Sequence, residues 1–89
     1  MSSTERTLPR IQVFSRRGCH LCEQLIDELA TLVRGRLELE VKDVDENEQW
    51  RHAYGEFVPV VRYNGQEVCR YHLDRASIIR ILAQESANI

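Results

Sequence analysis

A β-rich run, a stripe of helical period and a second, alternating β-run follow one another in the first half of this chain, and that order constrains the fold more than any other feature. "RIQVFS", Arg10 to Ser15, lies between Pro9 and Gly18 and reads as a strand, with Ile11 and Val13 on one face and Phe14 on the other. From His20 onward, Leu21, Leu25, Leu29 and Leu32 recur at intervals of four or three. Ile26 and Val33 widen that stripe, and Gly35 stops the helix after Arg34. "LELEVKD", residues 37–43, alternates strictly, sending Leu37, Leu39 and Val41 to one face and Glu38, Glu40 and Lys42 to a wet one. A strand, a crossover helix and a second strand make a right-handed parallel βαβ unit in nearly all cases.

The second half adds a hairpin and two helices. Asp45 with Glu48 three residues later has the spacing of a capping box and opens a short helix through Trp50 and Ala53, which Gly55 closes. "VPVVRYNGQEVCRY", residues 58–71, sets two β-rich runs around Asn64-Gly65, a dipeptide that favours a type I′ turn because both central residues need positive φ. Asp74 is placed to cap a helix from Arg75 to about Glu85, with Leu73 and Ile78 spaced as a hydrophobic staple and Ile79, Leu82 and Ala83 extending the apolar face. The order βαβαββα predicts an α/β domain: a four-stranded mixed sheet with helices on both faces. Eighty-nine residues suit one such domain, expected over 10–89 behind a loose tail over 1–9.

Charge and composition remove several classes of function. A net charge of -2 with both signs interleaved leaves no basic stripe for nucleic acid and no polybasic patch for a membrane, and no apolar stretch approaches the ~18 residues of a span. No nucleic acid and no membrane are expected as partners, and a monomer is expected. "MSSTERTLPR" has no apolar core of a secretory signal, which makes the cytoplasm the expected compartment. Three cysteines are too few for a disulfide scaffold, and in a reducing compartment a close pair is more often catalytic or metal-binding.

The close pair is Cys19-His20-Leu21-Cys22, at the junction of the first strand and the first helix, where the carboxyl ends of parallel strands place ligand regions. Positions i and i+3 of a helix start sit one turn apart, within disulfide reach. The helix N-terminus favours negative charge on Cys19, with Arg16 and Arg17 as local positive charge and Glu23 opposing. That makes Cys19 the attacking sulfur and Cys22, one turn deeper, the resolving one. His20 is placed to tune the pair by its charge. Other readings remain open at this level. The pair could be two small helix residues, half of a zinc site completed by Cys69, His52 and His72, or the anchor of an iron-sulfur cluster shared between chains. Cys69 reads as a small apolar filler, Trp50 and Tyr54 as packing more than groove lining, and Phe14 as core.

With the dithiol set between a strand and a helix of a βαβ unit, the chain resembles the glutaredoxin branch of the thioredoxin-like superfamily from Arg10 to about Glu85. A second family mark is Phe57-Val58-Pro59, where glutaredoxins carry Thr-Val-Pro with a cis proline facing the dithiol; Val58 and Pro59 match and Phe57 does not. The pattern Gly-Cys-His-Leu-Cys, Asp-Val-Asp and Tyr-Gly-x-x-Val-Pro-Val is most similar to small bacterial glutaredoxin-like proteins. The resemblance implies a thiol-disulfide oxidoreductase that needs no bound cofactor. Its substrate would be a protein disulfide or a glutathione mixed disulfide, its electrons would come from a reductase system, and Val58 and Pro59 would offer main chain to an extended peptide or glutathione. His20-Leu21 replaces the family's Pro-aromatic dipeptide, and Arg70 to Asp74 contains no Gly-Gly pair of the kind that helps to hold glutathione, so weak glutathione use is expected. The alternative from another class is a non-catalytic thioredoxin-fold binding module.

Overall fold

The computed structural model describes residues 8–87. Its elements, in chain order, are β1 (Arg10–Ser15), α1 (His20–Val33), β2 (Glu38–Asp43), a 3-10 turn (Val44–Glu46), α2 (Glu48–Tyr54), β3 (Val60–Tyr63), β4 (Gln66–Arg70) and α3 (Arg75–Ala87). They build one sheet of order β2-β1-β3-β4, in which β1 pairs in parallel with β2 and antiparallel with β3, and β3 pairs antiparallel with β4. This is the expected thioredoxin-like mixed sheet. The expected tail falls mostly on residues 1–7, which lie outside the described residues, as do 88 and 89 of the expected domain; Pro9 O accepts from Glu38 N at 2.7 Å, so the chain already joins the sheet there.

Two cores lie on the two sides of the sheet. On one, Ile11, Val13, Leu25, Leu29, Val33, Leu37, Val61, Ile78 and Leu82 pack together, joining α1 and α3 to the inner strands. On the other, Phe14, Val44 and Val60 are buried beneath Trp50, Tyr54, Phe57 and Val58. The alternation of Val13 and Phe14 along β1 thus feeds both cores, as the period of two requires. Each fully buried branched side chain contributes about 1.5–3 kcal/mol relative to exposure. The hairpin turns at Asn64 (φ 53) and Gly65 (φ 77), both in the left-handed region that a type I′ turn demands.

Three details differ from the sequence reading. The cap of α2 is Asn47, whose Oδ1 accepts from Trp50 N at 3.1 Å, while Asp43 caps the 3-10 turn through Asp45 N and Asp45 caps neither. A 3-10 turn fits between β2 and α2 because it buries Val44 under Phe14, and the capping residue moves two positions along. On β2, Val41 is 52% exposed and Lys42 is half-buried with its ammonium 5.5 Å from the centre of the Trp50 ring, so the wet and dry faces are not cleanly divided. β2 is an edge strand, and α1 leaves Val41 beside an open cleft. On α3, Ile79 (54% exposed) and Ala83 face outward; Ile78, Leu82 and Ile81 form the packed face, and Leu73 joins Ile78 against the core as a staple should. Asp74 does cap this helix, accepting from Ser77 N at 3.2 Å.

Candidate functional site

The site begins where β1 ends. The chain leaves Ser15, passes Arg16 to Gly18 and enters α1 with Cys19 as its N-cap in extended conformation (φ -95, ψ 109). An N-cap side chain accepts one of the orphan N–H groups of the first turn. Here the acceptor is sulfur: Cys22 N donates to Cys19 Sγ at 3.1 Å. Cys19 is partly exposed, whereas Cys22 is 2% exposed beneath the helix start. Burial, followed by the hydrogen-bonded Cys19 sulfur, pushes the Cys22 thiol up to about 12; the main-chain N–H of Arg16 pulls the other way, and the negative charge of Glu23 adds to the rise. Cys22 is therefore held as a neutral thiol over the physiological range.

Arg16 and Arg17, expected as local positive charge, each meet a carboxylate. Arg16 does not aim its guanidinium at the dithiol: Nε and Nη2 form a fork on Asp45 (3.0 and 3.2 Å), and Nη1 donates to Gly55 O at 3.3 Å. A carboxylate 29 residues away outcompetes the thiol for the guanidinium because the planar fork matches it bidentately. Arg17, with a side chain 91% exposed, approaches Asp43 at 3.6 Å. His20 is exposed and lies 3.9 Å from Glu23.

Val58 and Pro59 lie at the same end of the sheet. Phe14 of β1 is opposite Val60 of β3, so the residues before Val60 emerge beside the end of β1, where the dithiol loop starts. The Val58-Pro59 peptide bond is cis. Among the described residues neither the N–H nor the C=O of Val58 has a main-chain partner, while Pro59 O accepts from Tyr71 N at 2.8 Å. Sequence reasoning missed what flanks this bend. Tyr71 adopts φ 68 and its hydroxyl donates to Glu56 O at 3.4 Å; Arg70 stacks its guanidinium 4.3 Å from the centre of the Phe57 ring while holding Glu67 through two bonds. A tyrosine in the left-handed region carries no signal in its sequence neighbourhood, although the Phe57 departure marked the position of the stacked pair.

A cleft of about 350 Å³ opens on the β2 side, lined by Ser15, Arg17, Gly18, Cys22, Val41 and Asp43, among others. Of the remaining candidates, Cys69 packs partly buried against the α1–α3 core and burial pushes its thiol up. Trp50 and Tyr54 pack on Phe14 with ring centres 5.5 and 4.4 Å away. Among the described residues no three His, Cys, Asp or Glu side chains converge to hold a metal ion, so His52, His72 and Cys69 do not complete a zinc site with the pair. No helix among them is long and apolar enough to cross a membrane.

The description "Glutaredoxin-like domain (DUF836)" matches residues 10–83. The chain belongs to the glutaredoxin-like domain family. Among solved structures it is similar to protein Ne2328 from Nitrosomonas europaea, at 38% identity and a TM-score of 0.72 over 85% of this chain and 94% of that one. It is also similar to protein XcR50 from X. campestris, at 25% identity and a TM-score of 0.65 over 83% and 96%. The holo form of glutaredoxin C1 from Populus tremula x tremuloides shares the fold, at 22% identity and a TM-score of 0.58 over 88% and 86%. No curated protein matches the chain. The glutaredoxin-like fold and the Cys19–Cys22 pair are compatible with redox function.

Proposed function

We propose that this glutaredoxin-like protein is a thiol-disulfide oxidoreductase in which Cys19 attacks and Cys22 resolves. The observation that supports this most is the asymmetry of the pair: a partly exposed Cys19 sulfur at the helix start that accepts a main-chain N–H, and a buried Cys22 kept as a thiol. Cys19, as thiolate, attacks one sulfur of a substrate disulfide; a Cys19–substrate disulfide forms and the other substrate sulfur leaves as a thiolate that takes up a proton. Cys22 then loses its proton and attacks the Cys19 sulfur. The intramolecular disulfide forms, the mixed disulfide breaks and the second substrate thiolate departs, so two electrons pass from the dithiol to the substrate.

Val58 and Pro59 serve as the main-chain edge against which an extended substrate lies, and the unpaired Val58 groups support that role. Arg17, exposed, supplies positive charge at the rim, and the exposed His20 imidazole stands beside Glu23. We assign protein disulfides as the main substrate and glutathione as a weak co-substrate, because Arg70 to Asp74 carries side chains throughout. The proposal includes a reductase system as electron source, a monomer and the cytoplasm as compartment. The test is equilibration with mixtures of reduced and oxidised dithiothreitol, read by mass. The wild type is expected to lose two hydrogens reversibly at Cys19 and Cys22; a pair that stays reduced in every mixture sinks the proposal.

A further inference from the structure

Tyr71 stands in a backbone conformation that its residue type disfavours. Of the two non-glycine residues at positive φ among the described residues, Asn64 lies in the hairpin turn that demands it, whereas Tyr71 (φ 68) directly follows β4. His72 N donates to Arg70 O across it at 2.7 Å, closing a three-residue turn that is strained when its central residue has positive φ. A bulky side chain at such an angle is an outlier whose cost the surroundings must outweigh. Glycine would make the same turn without that cost, so the turn alone does not account for a tyrosine.

The side chain has a definite place. Tyr71 N donates to Pro59 O at 2.8 Å, and the hydroxyl of the same residue donates to Glu56 O at 3.4 Å. One residue thus grips main chain on both sides of Phe57 and Val58, and the neighbouring Arg70 guanidinium stacks 4.3 Å from the centre of the Phe57 ring. What this leaves without a main-chain partner among the described residues is the N–H and C=O of Val58. Tyr71 also lines, with Leu21 from inside the dithiol motif, a notch of about 110 Å³, so its side chain borders the dithiol motif as well as the bend.

We propose that Tyr71 is a positioning residue for substrate binding, its hydroxyl and ring holding residues 56–59 so that the Val58 groups stand ready for the main chain of an extended peptide disulfide. The role rests on the main-chain edge proposed above, and adds to it the residue that fixes the edge and the substrate class that feels it. A segment held at both ends before substrate arrives loses less freedom on pairing with it. A small disulfide with no peptide main chain gains nothing from the clamp, since attack by Cys19 needs only access to sulfur. Tyr71 therefore separates peptide disulfides from small ones through binding and leaves the exchange step untouched.

The experiment uses the full reduced chain and two mixed disulfides with the same leaving group, thionitrobenzoate: one on the central cysteine of a short extended peptide, the other on mercaptoethanol. The Cys19 thiolate attacks the peptide or mercaptoethanol sulfur, a disulfide to Cys19 forms, the bond to thionitrobenzoate breaks and the coloured thiolate leaves, so its release reads attack directly. In Tyr71→Phe, which loses only the hydroxyl, the half-saturating peptide concentration is expected to rise about threefold, the low end for one hydrogen bond because 3.4 Å is long. In Tyr71→Gly, which keeps the turn and loses the ring as well, the rise should be about tenfold. The limiting rate with the peptide, and the rate with the mercaptoethanol disulfide, should stay within about twofold of wild type in both variants. An active wild type whose half-saturation by peptide is unchanged in both variants overturns the inference and leaves the dithiol mechanism standing. Tighter peptide binding in Tyr71→Gly overturns it too, since the ring would then obstruct the edge, as does equal slowing with both disulfides, which would mark general loosening. A wild type that releases no thionitrobenzoate from either disulfide removes the dithiol mechanism itself, and the role of Tyr71 with it.

Discussion

Cys22 N donates to the sulfur of Cys19 at 3.1 Å, so the residue buried one turn into α1 caps its helix on the sulfur it would later join. One bond of local geometry gives the two cysteines opposite environments. The N-cap sulfur is reachable from solvent, and the second is shielded and held protonated.

From this follows an order of reaction. Cys22→Ser should still form and retain a mixed disulfide with a protein partner, because attack is intact and resolution is lost. Cys19→Ser should trap nothing, since Cys22 is 2% exposed and Cys69 packs against the α1–α3 core with its thiol pushed up by burial. Trapping is read on non-reducing gels or by mass after a short incubation with a denatured disulfide protein. Trapping by Cys19→Ser and none by Cys22→Ser would reverse the roles.

Gly55 tests the packing behind Arg16. Its φ of -53 suits any residue, so a shortened list of unfolded conformations alone would make Gly55→Ala stabilising by about 0.4–1 kcal/mol. The added Cβ would meet Arg51 O at 2.5 Å, a main-chain atom of the last turn that cannot withdraw without opening the helix end. Overpacking of that kind costs about 1–3 kcal/mol, so the expected sign is destabilising. Urea unfolding followed by Trp50 fluorescence measures it, and a variant more stable than wild type would refute the clash.

Asn47→Ala removes the cap of α2 and should cost about 1 kcal/mol in the same assay. Asp45→Ala leaves that cap in place and instead frees the guanidinium of Arg16. If Asn47→Ala is neutral while Asp45→Ala weakens α2, the capping-box reading of the sequence was the better one.

How much of this was legible beforehand depended on the range of the interaction. β1, α1 and the hairpin were plain because alternation, a 3.6-residue stripe and Asn64-Gly65 are local patterns. The cysteine pair was plain for the same reason. The cap of α2 was not, because Asp43, Asp45 and Asn47 are all competent and only the burial of Val44 under Phe14 decides among them. The partners of Arg16 were not legible because they lie 29 and 39 residues away, and nothing near it in sequence points its guanidinium to Asp45 and Gly55 O. Val41 and Ile79 look like core by periodicity and are exposed, because an edge strand and a last helix are covered on fewer sides than the pattern assumes.

The last expectation concerns alkaline pH. Burial, and then the neighbouring Cys19 sulfur, raise the Cys22 thiol from its ordinary value to about 12, and burial together with a hydrogen bond to Glu85 raises the Tyr63 hydroxyl to about 12. A group that holds its proton more tightly when folded contributes stability that is fully present below the unfolded pKa and is lost as pH rises through the folded one. For Cys22 that window opens near the ordinary cysteine value, about 8.5–9, and for Tyr63 near about 10. Under reducing conditions the urea midpoint should therefore be flat up to about pH 8, decline from about pH 9 and steepen above about pH 10. Cys22→Ser should flatten the first part of the decline and Tyr63→Phe the second, whatever each does to stability at neutral pH. Both thiol and phenol sit apart in the fold, Cys22 at the start of α1 and Tyr63 at the end of β3, so the two effects should add in the double variant. A wild-type midpoint that stays constant to about pH 11, or a decline that neither substitution changes, would show that the buried protons of these two groups are not what ties stability to pH.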